Sequence, residues 1–236
     1  MKGIQLRVKG NWGHFKKPET NNNPLSHDII TKTALIGLIG AVIGIEREDM
    51  KELFPQLSED LIYCVQLEKR LKKVSWGFTS KSAFEPITSG SPKYFEFLKS
   101  PSFIVTLAIK SVRSLDIFNK FTSYLKEEKA VYTPILGWHN CPADLEFVSE
   151  GKFSSENKGE FKTKGFVCSK EYELKDISGE FRIGFDRVPT YQDNDMWNHP
   201  DKYVEIIYPD ACKQLSVIGK YYEFTSSNAT ERWCLI

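Results

Sequence analysis

In the stretch KGIQLRVKG, Lys2 to Gly10, the apolar residues Ile4, Leu6 and Val8 alternate with polar ones, which is the two-residue period of a strand. A loop, GNWGHFKKPETNNNPLSH, follows. It leads to an unbroken apolar run of twelve residues, Ala34 to Ile45, with glycines at 37, 40 and 44. A membrane-spanning helix needs about 20 apolar residues, so this run is too short. A phosphate loop places its glycines ahead of the helix and closes on Gly-Lys-Ser/Thr, and a dinucleotide fingerprint reads G-x-G-x-x-G; here the glycines lie inside the run and no such lysine follows. The pattern predicts a helix that starts near Asp28 or Thr31 as N-cap. Being apolar all round, it is expected to be buried between a sheet and a second layer of protein. Interior glycines cost a helix about 1 kcal/mol each relative to alanine, so all three are expected where the backbone packs closely on the sheet.

Further along, DLIYCVQLEKRLKKVSWGF reads as a long strand or hairpin arm, with Val74, Trp76 and Phe78 alternating against Lys73, Ser75 and Gly77. TSGSPK carries turn chemistry. FIVTLAI, Phe103 to Ile109, is a β-branched apolar run suited to a central strand. Ser114 is placed to cap a helix whose one face holds Leu115, Phe118, Phe121, Thr122 and Leu125. The order strand, helix, strand, strand, helix is most of a β-α-β-β-α-β unit. After Val131 the pattern changes to short strands, FRIGF, YVEIIYP and VIGKYYEF. The fold class is α+β: a ferredoxin-like (RRM-like) core over residues 1–130 with a basic insertion at about 69–100, and a smaller β-rich portion, 131–236, continuous with it.

Composition and charge narrow the partners. The 236 residues are 41% hydrophobic and 13% aromatic, with a formal net charge of +1, which is ample material for a core. The five cysteines show no C-x-x-C and no signal peptide precedes them, so a reducing cytoplasm is expected. Cys234 forms no prenylation box. Charge is uneven: Met1 to Lys32 has six basic residues against Glu19 and Asp28, Lys69 to Lys93 has six against Glu85, and Lys170 to Asp210 has ten acidic against five basic. That distribution suits an anionic partner on one face and protein neighbours on another, or simply an unevenly charged solvated surface.

WGHFKKP, Trp12 to Pro18, sets aromatics, a histidine and two lysines just after a strand. Single-stranded RNA is held by this mixture, bases stacking on aromatics while cations hold phosphates. EKRLKKVSWGF, Glu68 to Phe78, repeats it with Lys69, Arg70, Lys72, Lys73 and Trp76.

Taken in order, HFKKP after the first strand, TNNNPLSH, the glycine helix TALIGLIGAVIG and, much later, PILGWHNCPA resemble CRISPR-associated protein family five, the small RAMP-type subunit of Cascade surveillance complexes, with the type I-B branch the nearest likeness. The resemblance covers about the first 50 residues and Thr133 to Ala143 best. It implies a RAMP core with an inserted β-hairpin thumb that caps a complex by gripping the 5′ handle of CRISPR RNA. The large subunit and the first backbone subunit would be neighbours, and target DNA would lie nearby, near the protospacer-adjacent motif or reached indirectly. By the same resemblance the RNA-facing residues would be His14, Phe15, Lys16, Lys17, Asn21 and Asn22 of the loop, Lys69, Arg70, Lys72, Lys73 and Trp76 of the thumb or its base, and Trp138, His139 and Asn140 of a third surface.

One branch of that family cuts precursor RNA. Metal-independent cleavage needs an acid or base and charge stabilisation at the phosphate. The four histidines are His14, His27, His139 and His199; His14 beside Lys16, or His139 near Tyr132, are the arrangements available, and neither matches the processing branch. The expectation is a binding subunit without catalysis, metal or cofactor, with an endoribonuclease acting on repeat RNA as the alternative. His139-Asn140-Cys141 lacks the second ligand pair of a zinc site, and Cys141 is expected to be a buried thiol. Asp193, Asp195, Asp201 and His199 read as a solvated loop.

Overall fold

A computed structural model describes residues 1–80, 90–175, 181–195, 199–200, 202–227 and 229–236. The first half forms β1 (Lys2–Lys9), β2 (Trp12–Gly13), α1 (Lys32–Ile43), α2 (Arg47–Asp60), β3 (Leu61–Leu67), β4 (Lys73–Ser80), β5 (Ser91–Lys99), β6 (Ser102–Ile109) and α3 (Leu115–Lys126). The second half adds β7 (Asp144–Phe153), β8 (Asn157–Thr163), β9 (Val167–Cys168), β10 (Glu173–Lys175), β11 (Ile183–Tyr191), β12 (Lys202–Pro209), β13 (Leu215–Ser226) and β14 (Thr230–Trp233).

Strand β1 lies between β6 and β7, and β3 pairs with the far side of β6, every pairing antiparallel. The order β7-β1-β6-β3 is that of a ferredoxin-like unit, in which each helix carries the chain across one intervening strand. The fourth strand of the core sheet, β7, comes after residue 131, and β13 extends the sheet beyond it by pairing with β7, β8, β10 and β14. Core and C-terminal portion thus share one sheet. Residues of β6 are buried throughout, since the sheet is covered on both faces. The outer edge of β3 is closed by the end of the chain: the amide and carbonyl of Tyr63 exchange hydrogen bonds with Ile236 at 3.0 and 3.1 Å. Such cover removes a free edge that would otherwise pair with other chains.

The apolar run forms α1 as expected. Thr31 is its N-cap, its Oγ1 accepting from the Ala34 amide at 3.2 Å. The helix touches α2, α3 and β11, so the second layer is made by a neighbouring helix and a C-terminal strand. The three glycines do not share one role. Gly37 is exposed, and a β-carbon added there would have nothing within 4 Å. Gly40 faces the Met50 side chain of α2, 2.5 Å from where its own Cβ would stand, and not the sheet. Gly44 ends the helix with φ of 76° and returns its amide to the carbonyl of Gly40, a left-handed cap that favours glycine.

One element and one helix cap differ from the sequence reading. Helix α2 is absent from it, because REDMKELFPQLSED is polar and contains Pro55; five of its residues are nevertheless buried, including Met50, Phe54 and Leu57. Ser114 makes no side-chain cap on α3, donating instead to Asp60 Oδ2 at 2.6 Å. Within TSGSPK, residues 88 and 89 lie outside the described residues, and Ser91 to Lys93 belong to β5. The face of α3 is confirmed, with Phe118, Phe121, Thr122 and Leu125 buried and Leu115 half-buried.

Candidate nucleic-acid interface

The loop after β1 is a folded arm. β2 pairs with the end of β5, Trp12 opposite Lys99. Beyond it the His14 amide donates to the Leu136 carbonyl at 2.9 Å, and the His27 amide to the Phe15 carbonyl at 2.8 Å. These contacts leave His14 and Phe15 both buried, with Lys16 exposed after them. Phe15 is 2% exposed and packs on Phe103, so it belongs to the core while also lining the floor of the groove described below. His14 is 4% exposed, with Nδ1 2.7 Å from the Glu96 carbonyl. Burial lowers its pKa, opposed by the Glu96 contact. A neutral ring donating through Nδ1–H fits this carbonyl.

The two lysines of the loop diverge. Lys16 is exposed and donates to Asn21 Oδ1 at 3.2 Å, its one side-chain partner among the described residues. Lys17 points the other way and pairs with Asp186 of β11 at 2.9 Å. Asn21 and Asn22 are exposed on the loop surface, while Asn23 accepts from the Tyr94 amide at 3.1 Å and so ties the loop to the hairpin.

Strands β4 and β5 form that hairpin, paired from Lys73 opposite Leu98 to Ser80 opposite Ser91. Alternation puts Val74, Trp76 and Phe78 on one face with Phe95 and Phe97 across from them. This face meets Trp12, whose ring centroid is 4.3 Å from that of Trp76, and Trp138, stacked on Phe95 at 5.2 Å with 7° between planes. His14 stands inside the cluster, 5.4 Å from Phe97. Trp76 remains 41% exposed at its outer rim.

Lys73 sits at the hairpin's base and is occupied: it pairs with Asp28 at 2.5 Å and Glu96 at 2.9 Å and donates to the Ser26 carbonyl at 2.8 Å. Burial lowers its pKa, but the two carboxylates outweigh that and raise it. Lys69 and Lys72 are exposed, and Arg70 lies 3.9 Å from Asp210 in a loose surface pair.

The turn at Gly137 backs directly onto the loop. Its φ is 83°, and a β-carbon there would collide with the His14 carbonyl, so glycine is required twice over. Trp138 is half-buried, and His139 and Asn140 are exposed. Cys141 is buried, which pushes its thiol up to about 11. Tyr132 bonds to Glu46, while His139 is in ring contact with Trp138.

The structure thereby gathers Lys16, Trp138 and His14 with Phe95, Gly37 and Pro189 around one open groove of about 600 Å³ along the outer side of α1. Lys69, Arg70, Lys72 and Lys73 do not line it. Phe95 is absent from the sequence reading, which has Gly37 only as a packing residue of the helix; the alternation of Phe95 with Phe97 in YFEFL was the available signal. Among the described residues no group of three His, Cys, Asp or Glu side chains is placed to hold a metal ion. Asp193 accepts from the Asp195 amide at 2.9 Å in a loop turn and His199 is exposed, while Asp201 lies outside the described residues. No helix among them is long and apolar enough to cross a membrane.

The fold is a ferredoxin-like sheet with an aromatic hairpin, basic at its base, inserted between its second and third strands. Residues 3–110 match the family model described as CRISPR-associated protein (Cas_Cas5), the family that the N-terminal motifs resemble. Two solved structures share the fold at 13% identity. One, a CRISPR protein from Archaeoglobus fulgidus, has a TM-score of 0.61 with 98% of this chain and 99% of that one covered. The other, from a CRISPR RNA-guided surveillance complex, has a TM-score of 0.55 with 91% of each chain covered. No curated protein matches the chain.

Proposed function

We propose that this chain is a non-catalytic RNA-binding subunit of a Cascade-type CRISPR surveillance complex that grips the 5′ handle of CRISPR RNA and caps the backbone of the assembly. The large subunit, the first backbone subunit and, more distantly, target DNA are its neighbours, in a cytoplasmic ribonucleoprotein. The observation that carries this reading is the groove along α1, where exposed Lys16 stands with the stacked Phe95–Trp138 pair. A cation beside an aromatic platform suits a phosphate followed by a base. The family match over residues 3–110 and the surveillance-complex fold support the same reading.

Binding without cutting is part of the proposal. His14, which lines the groove with Lys16, is buried and committed to Glu96, which suits a positioning role in the loop better than proton transfer at a phosphate.

The test is titration of purified protein with repeat-derived RNA over a range of salt, with EDTA present throughout. Wild type should bind with a salt-dependent affinity and leave the RNA intact. Lys16→Ala should weaken binding and reduce the salt slope by roughly 0.7, the share of one phosphate contact on a single strand. An unchanged slope removes Lys16 from the interface. A discrete RNA fragment lost on changing one histidine or tyrosine would instead assign an endoribonuclease.

A further inference from the structure

The groove along α1 is lined by two polar side chains that are more than nine-tenths buried, His14 at 4% exposed and Gln192 at 7%. Each has its donor end committed to the protein. His14 Nδ1 lies 2.7 Å from the Glu96 carbonyl. A carbonyl only accepts, so the proton of the neutral ring is assigned to Nδ1 and Nε2 carries a lone pair. Burial, opposed by the Glu96 contact, holds the His14 pKa below the usual histidine value, which keeps the ring neutral at neutral pH. Gln192 donates through Nε2 to Asp193 Oδ1 at 3.3 Å and to the Asp195 carbonyl at 3.1 Å. Both partners are acceptors, so the amide nitrogen is assigned to their side and Oε1 is left over.

Among the described residues neither His14 Nε2 nor Gln192 Oε1 has a hydrogen-bond partner, and neither is sealed from solvent as His27 Nε2 is. The two side chains therefore bring unused acceptors to the groove. The His14 ring also stands against the aromatic platform, its centroid 5.8 Å from that of Phe95 and 6.1 Å from that of Trp138. An acceptor at the side of a stacking surface meets a nucleotide at its edge, where hydrogen-bonding groups differ between ligands; the faces of the bases are alike in this respect.

We infer that this groove selects a nucleotide carrying a hydrogen-bond donor, read by His14 Nε2 with Gln192 Oε1 as the second acceptor; this rests on the RNA-binding reading given above. Two groups of a ribonucleotide supply such a donor, the exocyclic amine of a base and the ribose 2′-hydroxyl. A ligand without the donor leaves a nearly buried lone pair unmatched, which costs affinity. The Lys16 contact to phosphate and the stacking on Phe95 and Trp138 are indifferent to the difference. His14 is thereby a specificity-determining residue, while Lys16 supplies attraction without selection.

Fluorescence titration of the full chain with short uridylate RNA strands carrying one adenine, cytosine or guanine tests this. Each is compared with a matched strand whose base lacks the exocyclic amine (purine, pyrimidinone or hypoxanthine) and with its all-2′-deoxy form. Wild type should bind at least one parent strand roughly three- to tenfold more tightly than a matched strand, the effect of one neutral hydrogen bond. A loss on removing the amine assigns a base reader, and a loss on removing the hydroxyls assigns a ribose reader. His14→Asn keeps an amide that can donate to Glu96 but has no atom at the Nε2 position, and should abolish or reduce the preference. Gln192→Met should narrow it independently. Lys16→Ala should weaken parent and matched strands alike and leave their ratio unchanged, which a general loss of binding would not distinguish but the ratio does. Equal affinity for parent and matched strands, with salt-dependent binding intact, overturns the selectivity and leaves the RNA reading standing. Absence of salt-dependent binding to every strand overturns both. A preference retained in full by His14→Asn and by Gln192→Met overturns the assignment of these two acceptors.

Discussion

Lys17 Nζ lies 2.9 Å from Asp186 Oδ1, although 169 residues separate the two in sequence. The same carboxylate meets His27 Nδ1 at 3.2 Å and accepts from the Asp28 amide at 2.9 Å, with its side chain 1% exposed. One residue of β11 thus holds the loop at Lys17, next to Lys16, and again where it ends at His27 and Asp28.

Burial pushes the Asp186 carboxyl up, but the His27 ring, the Asp28 amide and Lys17 more than offset it, so it sits well below the usual carboxylate range. In the unfolded chain an aspartate titrates near about 3.9. With its folded value depressed, Asp186 contributes stability that is fully present above that pH and is lost as the pH falls below it. Denaturant titrations should show Asp186→Asn less stable by about 3–5 kcal/mol at pH 7, because a buried pair is left half-broken, with the gap narrowing below pH ~4. A constant gap across that range would remove the carboxylate from the lock.

His14 titrates with a related sign. Its folded pKa is lowered, first by burial, so the unfolded chain takes up the proton more readily. Its contribution is complete above about pH 6.5, the unfolded value, and declines as the pH falls below that. The melting temperature of wild type should drop more steeply between neutral and mildly acid pH than that of His14→Gln. Parallel curves would show that His14 protonates freely in the fold.

The glycines of α1 separate in the same assay. Gly37→Ala places a methyl in open space on a helix and should stabilise by about 0.5–1 kcal/mol. Gly40→Leu drives into Met50 and should cost about 1–3 kcal/mol. If both variants melted at the same temperature, the packing of α1 against α2 would be misassigned.

At the hairpin base, binding and stability should divide between neighbouring lysines. Lys73→Ala breaks two ion pairs and should lower stability by about 1 kcal/mol or somewhat more. Lys69→Ala with Lys72→Ala should leave the melting temperature nearly unchanged and, if these cations meet RNA, reduce the salt slope of binding. A melting temperature unaffected by Lys73→Ala would show its pairs to be ordinary surface contacts.

Much of the core was legible because its signals are local. The alternation in β1 and β4, the apolar run of α1 and the 3.6-residue face of α3 each arise from a short window in which one side must be dry. Helix α2 was not, since its buried Met50, Phe54 and Leu57 are diluted by charge and interrupted by Pro55. Ser114 shows the same limit: a capping residue by position, it is claimed by Asp60, 54 residues away.

By itself the sequence determined a strand–helix–strand–strand–helix core, an aromatic hairpin with a basic base, and the family resemblance of the N-terminal half. Which cations stay free was decided only in three dimensions. Lys16 and Lys17 are adjacent and chemically identical, yet one is held by Asp186 across the fold and the other faces the groove. Phe15 entered the core and Trp138 came to stack on Phe95 for the same reason. Burial and ion pairing depend on residues that are distant in the chain and meet only when the sheet closes, so local periodicity carries no record of them.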